Sequence, residues 1–482
     1  MPNKKFIIHI LGILLIVESI FLIASALVSY YNNESDAIIF IQSGLLTFGV
    51  GALFLILTIK SKRAVYKREG FVIVSLVWIL FSLFGSLPYY YGGYLNNFTD
   101  AFFETISGFT TTGISTIQDI ESLSHGMLFW RSLTQWIGGM GIIVLSLAIL
   151  PFLNIGGMQL FSAEVPGVTF EKIKPKLNDT AIRLWLIYLF FTILEVIMLR
   201  IAGMDIFDAV CHSFTTMSTG GFSTKNSNIA YFNSPQIEYT IIIFMFVSGI
   251  NFSILYFALT FQFLKLKNSE ELFFYIVIVF ITTIIIFASL LHTSVDAVDS
   301  LRSALFHTVS LISTTGFVTS DFGLWPVFAV NIVFIVLFIG GMTGSAGGGI
   351  KIIRITAVIK NIYYEIRRII HPRAVIPLRL NGKSIPSDLV GNILVFVVVY
   401  ILIFAIGAIL LTFLDFNFET ALGASLTSLS NAGPILGKVS APLNCTEFPP
   451  LAKWVLSLLM LIGRLEVFTI LALFVPTFWK KW

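Results

Sequence analysis

The sequence predicts an all-α polytopic membrane protein: two N-terminal transmembrane helices followed by four helix–pore-loop–helix repeats around a pseudo-fourfold pore. Three observations predict it. The 482 residues are 56% apolar and only 12% charged, with a mean hydropathy of +0.91; soluble domains carry about 25% charged residues. Ten stretches are long and apolar enough to cross a bilayer, at about 20 residues per span. Between certain spans lie four short polar segments that align without gaps. This composition excludes a cytosolic enzyme, a disordered chain and a nucleic-acid binder. Two cysteines, Cys211 and Cys445, are too few for a disulfide framework and have no metal-site spacing.

The first span, 6–29, is too long for a signal-peptide core and lacks a convincing cleavage site, so it reads as a membrane helix. With 37–59 it forms an N-terminal two-helix segment, residues 1–69. Repeat one occupies 70–176, with spans 71–91 and 127–150. Repeat two occupies 177–268, with spans 181–202 and 237–262. Repeat three occupies 269–385, with spans 272–292 and 326–343. Repeat four occupies 386–482, with spans 388–413 and 452–476. An even number of spans puts both termini on one side, and the positive-inside rule makes that side the cytoplasm. Of the 30 basic residues, 23 then fall on inner segments, eight of them between Lys351 and Lys383. The outer segments hold 15 acidic and six basic residues. A negative outer face concentrates cations, although excluding Lys and Arg from outer loops leaves the same imbalance by default.

The four aligned segments read DAFFETISGFTTTG (100–113), DAVCHSFTTMSTGG (208–221), SALFHTVSLISTTG (303–316) and TALGASLTSLSNAG (420–433). Each has Ala at its second position and ends in Gly: Gly113, Gly221, Gly316 and Gly433. Hydroxyl residues recur three, six and eight positions before that glycine. Agreement at so many fixed offsets marks an internal repeat. Each unit contains two full crossings, so the copies share one orientation and are related by rotation about the membrane normal. Irregular backbone at membrane depth is tolerated only where it is buried in protein or lines a water-filled path. Main-chain carbonyls can replace the hydration shell of potassium, and glycine permits the dihedral angles that aim them inward. The expected potassium ligands are Thr111, Thr112 and Gly113; Thr219, Gly220 and Gly221; Thr314, Thr315 and Gly316; and Asn431, Ala432 and Gly433. Each half-helix also points its carbonyl end inward, which favours a cation.

Two further features stand inside the membrane. Arg464, midway along the last apolar stretch, costs roughly 2.5–3.5 kcal/mol on insertion scales, and such residues are functional by default. Glu466 is a poor partner for it, because residues two apart on a helix face different ways. Six glycines between Gly340 and Gly349 cannot sustain a regular helix at about 1 kcal/mol each, so 343–349 is expected to be an unwound intramembrane loop. It is not a phosphate-binding loop, since Ile350 separates Gly349 from Lys351. Glu18 and Glu195 are lone intramembrane acids with no assigned role. The six histidines, His9, His125, His212, His292, His307 and His371, show no metal spacing; His212 and His307 fall at nearby places in two half-helices, which suggests packing. Nothing resembles a nucleophile with its base.

Over essentially its whole length the chain resembles TrkH-type subunits of the Trk/Ktr/HKT superfamily of potassium transporters. The resemblance rests on the four glycine turns and on WRSLTQWIGGMGIIVL (130–145), GGMTGSAGGGIKIIR (340–354) and IGRLEVFTIL (462–471). The two extra N-terminal spans match TrkH and not the shorter Ktr-type subunits. The double glycine Gly220-Gly221 and the Asn-Ala-Gly-Pro of the fourth turn depart from strict fourfold symmetry. Relatives that pass sodium tend to carry Ser where this chain has Gly113. The resemblance implies a potassium-conducting homodimer with one pore per subunit in a bacterial inner membrane. It implies gating by Arg464 with Gly344, Gly347, Gly348 and Gly349, and a cytosolic TrkA-type regulatory ring that binds the nucleotide (NAD or ATP/ADP). The alternative is a sodium- or proton-coupled potassium symporter with the same pore.

Overall fold

In the computed structural model the described residues are 3–59, 67–139, 141, 177–291, 296–371, 377–433 and 445–480. Six helices among them are long and apolar enough to span a membrane: Lys4–Tyr31, Ala37–Leu57, Arg68–Tyr91, Ile182–Ile201, Glu270–Leu290 and Ser387–Phe413. All six fall on expected spans. The span 127–150 is helical over His125–Gly139; most of its remainder lies outside the described residues, as do Lys60, Lys62, Arg63, Lys172, Lys174, Lys176, His292 and Arg373.

The first two helices form an antiparallel hairpin. Added Cβ atoms at Gly12 and Gly51 would each meet the other glycine's carbonyl oxygen at 2.9 Å, the small-residue packing that lets membrane helices approach closely. This hairpin also caps the helix that starts at His125. The Glu34 carboxylate accepts from the amides of His125 (2.8 Å) and Gly126 (3.2 Å), satisfying donors that a helix start leaves open.

Three expected spans are interrupted. The span 237–262 is two helices, Pro235–Ser248 and Phe252–Leu259, bent by 107°. At the break the Gly249 carbonyl accepts from Met342 N (2.9 Å), and Phe252 N donates to Gly344 O (3.1 Å). Backbone freed by the bend is therefore satisfied by the glycine-rich loop. The span 326–343 is helical only over Val327–Val336. The span 452–476 splits into Pro450–Arg464 and Phe468–Phe474 with a bend of 114°. Arg464 thus ends a helix and does not sit midway along one. Glu466 and Val467 take left-handed φ of 53° and 52°, conformations that non-glycine residues hold only when their surroundings impose them. The Glu466 carboxylate pairs with Arg354, a tertiary contact that fixes this corner.

Four short helices precede the glycine turns: Phe98–Phe109, Ile206–Met217, Ala297–Ile312 and Phe418–Ser430. At 12 to 16 residues they are too short to cross a bilayer. Most of their residues are buried. Asp205 and Asn417 cap two of them, accepting from Phe207 N and Thr420 N.

Candidate functional site

The four turns share one backbone conformation. Thr111, Thr219, Thr314 and Asn431 have φ of 54°, 57°, 61° and 53°. Two residues later Gly113, Gly221, Gly316 and Gly433 have φ of 83°, 75°, 81° and 83°. Asn tolerates the left-handed region, but a β-branched Thr there is an outlier, and such strain marks functional sites. In the first three turns the amides of the last two residues fold back on one carbonyl, that of Ser107, Thr215 and Ser310 respectively. In the fourth, Ala432 N reaches Thr427 O at 3.2 Å. These four acceptors are the residues six positions before each glycine. Among the described residues none donates a hydrogen bond to the main-chain carbonyls of Thr111, Thr112, Thr314, Thr315, Asn431 or Ala432. Buried carbonyls are rarely left unpaired, so these oxygens are ready ligands.

The turns close on one another as a ring. A Cβ on Gly113 would overlap the Gly220 carbonyl oxygen of the second turn. One on Gly221 would overlap the Thr315 carbonyl oxygen of the third. One on Gly433 would lie 3.0 Å from Gly316 Cα and 3.3 Å from Thr112 O, which joins the fourth turn to the third and the first. The ring requires glycine at these points because a neighbouring backbone occupies the side-chain space.

Both departures from symmetry have a physical cause. Gln135 donates from Nε2 to Gly220 O (2.7 Å) and accepts from Phe222 N at Oε1 (3.0 Å); its amide fills the space a Gly220 side chain would need. In turns one and three that stabilisation comes instead from hydroxyl pairs, Thr110–Thr112 and Ser313–Thr315, each 2.8 Å. Asn431 Nδ2 donates to Thr112 Oγ1 (2.8 Å) and Met460 O (3.0 Å), tying the fourth turn to the first. Gln135 lies in a segment already singled out, but its role was invisible in sequence because its partner stands 85 residues away.

Outside the ring is a recess lined by Gly113, Gly221, Ser115, Ser223, Arg131 and Lys225. Arg131 Nε pairs with Glu104 (2.8 Å), and both are buried. Lys225 pairs with Asp208 (3.2 Å), Arg302 with Glu238 (2.8 Å) and Asp299 (2.9 Å), and Lys453 with Asp100 (2.6 Å). Four of the six basic residues expected on the outer side are therefore paired with acids. The Asn226 amide beside Asp119 holds that carboxyl below the usual carboxylate range, so it stays charged.

The glycine-rich loop runs further than 343–349. It leaves the helical path after Leu337 and is closed at its base by Gly340 N to Ile350 O (2.8 Å) and Ile350 N to Phe338 O (3.0 Å). Its tip packs against the ends of the third and fourth half-helices: a Cβ on Gly347 would meet Ser313 O at 2.8 Å, and one on Gly348 would overlap Ser430 O. Gly348 N donates to Thr314 Oγ1 (2.8 Å). Gly344 and Gly349 take φ of 79° and 65°. Arg464 Nη1 donates to Ala346 O (2.8 Å) and Thr111 Oγ1 (3.1 Å), and Nη2 to Gly139 O (3.1 Å) and Gly138 O. One guanidinium thus touches the loop, the first turn and the end of the His125–Gly139 helix. Two buried charges complete the loop's support and escaped sequence reading: Glu271 accepts from Thr343 N (2.7 Å), and Lys351 Nζ donates to Gly347 O (2.5 Å).

A helical membrane protein whose re-entrant turns close into a ring is built for transport across the bilayer, not for bond-making. The chain belongs to the TrkH family: the model of that family, a cation transport protein, matches residues 37–481. It is 38% identical over 482 residues to the Trk system potassium uptake protein TrkH of Escherichia coli (strain K12), covering 99% of each chain. Similarity to the Trk system potassium uptake protein TrkG of the same organism is 32% over 483 residues, again covering 99% of each. The crystal structure of the potassium transporter TrkH from Vibrio parahaemolyticus superposes with a TM-score of 0.89 at 36% identity, covering 99% of both chains.

Proposed function

We infer that this chain takes up potassium across the cell membrane through the ring formed by residues 111–113, 219–221, 314–316 and 431–433. The closed ring of left-handed glycine turns carries the reading, because it brings main-chain carbonyls from four repeats to one place, those of turns one, three and four without hydrogen-bond donors among the described residues. Such a ring replaces a monovalent cation's hydration shell. Arg464 and the loop of Gly344, Gly347, Gly348 and Gly349 form the gate. Flux of rubidium into sealed vesicles tests this. Influx should follow the rubidium gradient and membrane potential, and persist when sodium and proton gradients are collapsed. Influx that requires either gradient would favour the coupled symporter.

The termini and the 351–383 segment face the cytoplasm of a bacterial inner membrane in this reading. Helix Ile352–Ile370 carries Arg367 and Arg368 near its end. It leaves Ile359, Ile362, Tyr363, Ile366, Ile369 and Ile370 exposed along one stripe. An exposed stripe of this kind marks an interaction surface, and it supports a homodimer seated on a cytosolic TrkA-type ring that carries the nucleotide. Affinity purification of the full chain from its native membranes should bring down a soluble nucleotide-binding protein. Full nucleotide-sensitive gating by the purified chain alone would contradict that partner.

A further inference from the structure

The position nine residues before the last glycine of each segment holds Glu104, His212, His307 and Ala424. The first three make the same contact. Glu104 accepts from Thr116 N (2.7 Å) and Ser115 Oγ (3.0 Å). His212 Nε2 meets Ser223 Oγ at 2.9 Å, and His307 Nε2 accepts from Thr319 N at 3.3 Å. The partners stand two or three residues beyond Gly113, Gly221 and Gly316. In both histidines Nδ1 lies 2.8 Å from the carbonyl four residues back, Asp208 O and Ser303 O. A carbonyl can only accept, so Nδ1 carries the proton and Nε2 is the acceptor. All three side chains are fully buried.

Resting on the potassium-pore reading above, we propose that Glu104, His212 and His307 are positioning residues that set ion preference by clamping the outer end of the filter turn in three of its four quadrants. In these three quadrants the amides of the turn's last two residues are tied to the carbonyl six before the glycine, and the chain two or three residues beyond the glycine to the side chain nine before it. Three residues apart on a helix lie on one face. Both ends of a turn are thus fixed to one face of its own half-helix, and the carbonyls between them cannot re-aim freely. The three clamps differ in strength. Glu104 accepts from several donors and is paired with the Arg131 guanidinium through Nε, and charge-assisted bonds are the stronger ones. Arg131 also donates from Nη1 to Ser223 O (2.9 Å), so the first clamp braces the second turn. The histidine clamps rest on neutral bonds. Ala424 has no side chain with which to clamp, which makes the fourth quadrant unlike the others.

The test measures rubidium and sodium permeation of the full chain in liposomes. His307→Leu keeps bulk but removes the acceptor, and the ratio of rubidium to sodium permeability should fall roughly threefold or more, the worth of one hydrogen bond. His307→Gln, whose Oε1 can accept from Thr319 N, should restore most of the ratio. Ser223→Ala removes the partner of His212 with almost no change in volume, and should lower the ratio too. A role in folding alone would reduce yield and slow both ions alike. Should His307→Leu not assemble, Ser223→Ala decides. A selective wild type with unshifted Ser223→Ala overturns the clamp and leaves the pore standing, as does a His307→Gln ratio no better than that of His307→Leu. A wild type with no preference between the two ions removes the pore reading itself.

Discussion

A Gly113→Ser variant should assemble in normal yield and lose potassium-over-sodium preference by about tenfold, which corresponds to about 1.4 kcal/mol of differential binding. Two effects act together. The φ of Gly113 is 83°, and a side chain in left-handed backbone costs roughly 1–2 kcal/mol. The new Cβ would also overlap the Gly220 carbonyl oxygen of the neighbouring turn. That oxygen is held by Gln135, so the first turn must move and carry the Thr112 carbonyl with it. Overall packing survives because the half-helix and its buried face are untouched. Reversal potentials under opposed potassium and sodium gradients report the ratio, and an unchanged value would remove Gly113 from the filter.

Arg464→Ala should raise basal flux, by up to about a hundredfold. A fixed positive charge 6 Å from the ion path costs roughly 3 kcal/mol at an effective dielectric of about 20. The substitution also frees the loop, because Nη1 holds Ala346 O at 2.8 Å. In the proposed gate, one change thus removes both the charge barrier and the contact that holds the loop. Since the same nitrogen donates to Thr111 Oγ1, ion preference should slip slightly, far less than in Gly113→Ser. Single-channel or vesicle-flux recordings of a folded variant that conducts no faster than wild type would place the barrier elsewhere.

Much of this arrangement was legible in sequence because it repeats. Fixed offsets in four copies located the turns, their glycines and the residues six back that receive the turn amides. The place of His212 and His307 in their half-helices also anticipated packing, and both serve as neutral hydrogen-bonding side chains. What the sequence concealed depends on contacts between distant segments. The corner at Glu466–Val467 has no glycine or proline of its own and is fixed by Arg354, 112 residues away in the chain. The break after Ser248 is satisfied by backbone from residues 342–344. Hydropathy registers apolar content and not continuity of the hydrogen-bond ladder, so both broken helices read as straight spans. The sequence places Lys351 only among the inner basic residues and carries no signal for Glu271, because the partners of both lie on a loop that no periodicity places.

The central claim is that the four turns hold potassium on their common axis. Thallium substitutes for potassium and scatters anomalously, so diffraction from crystals grown in a thallium salt tests it most directly. The account predicts anomalous density enclosed by the carbonyls of residues 111–113, 219–221, 314–316 and 431–433, weakened in the Gly113→Ser variant. Thallium density confined to other parts of the molecule, with the ring empty, would contradict it.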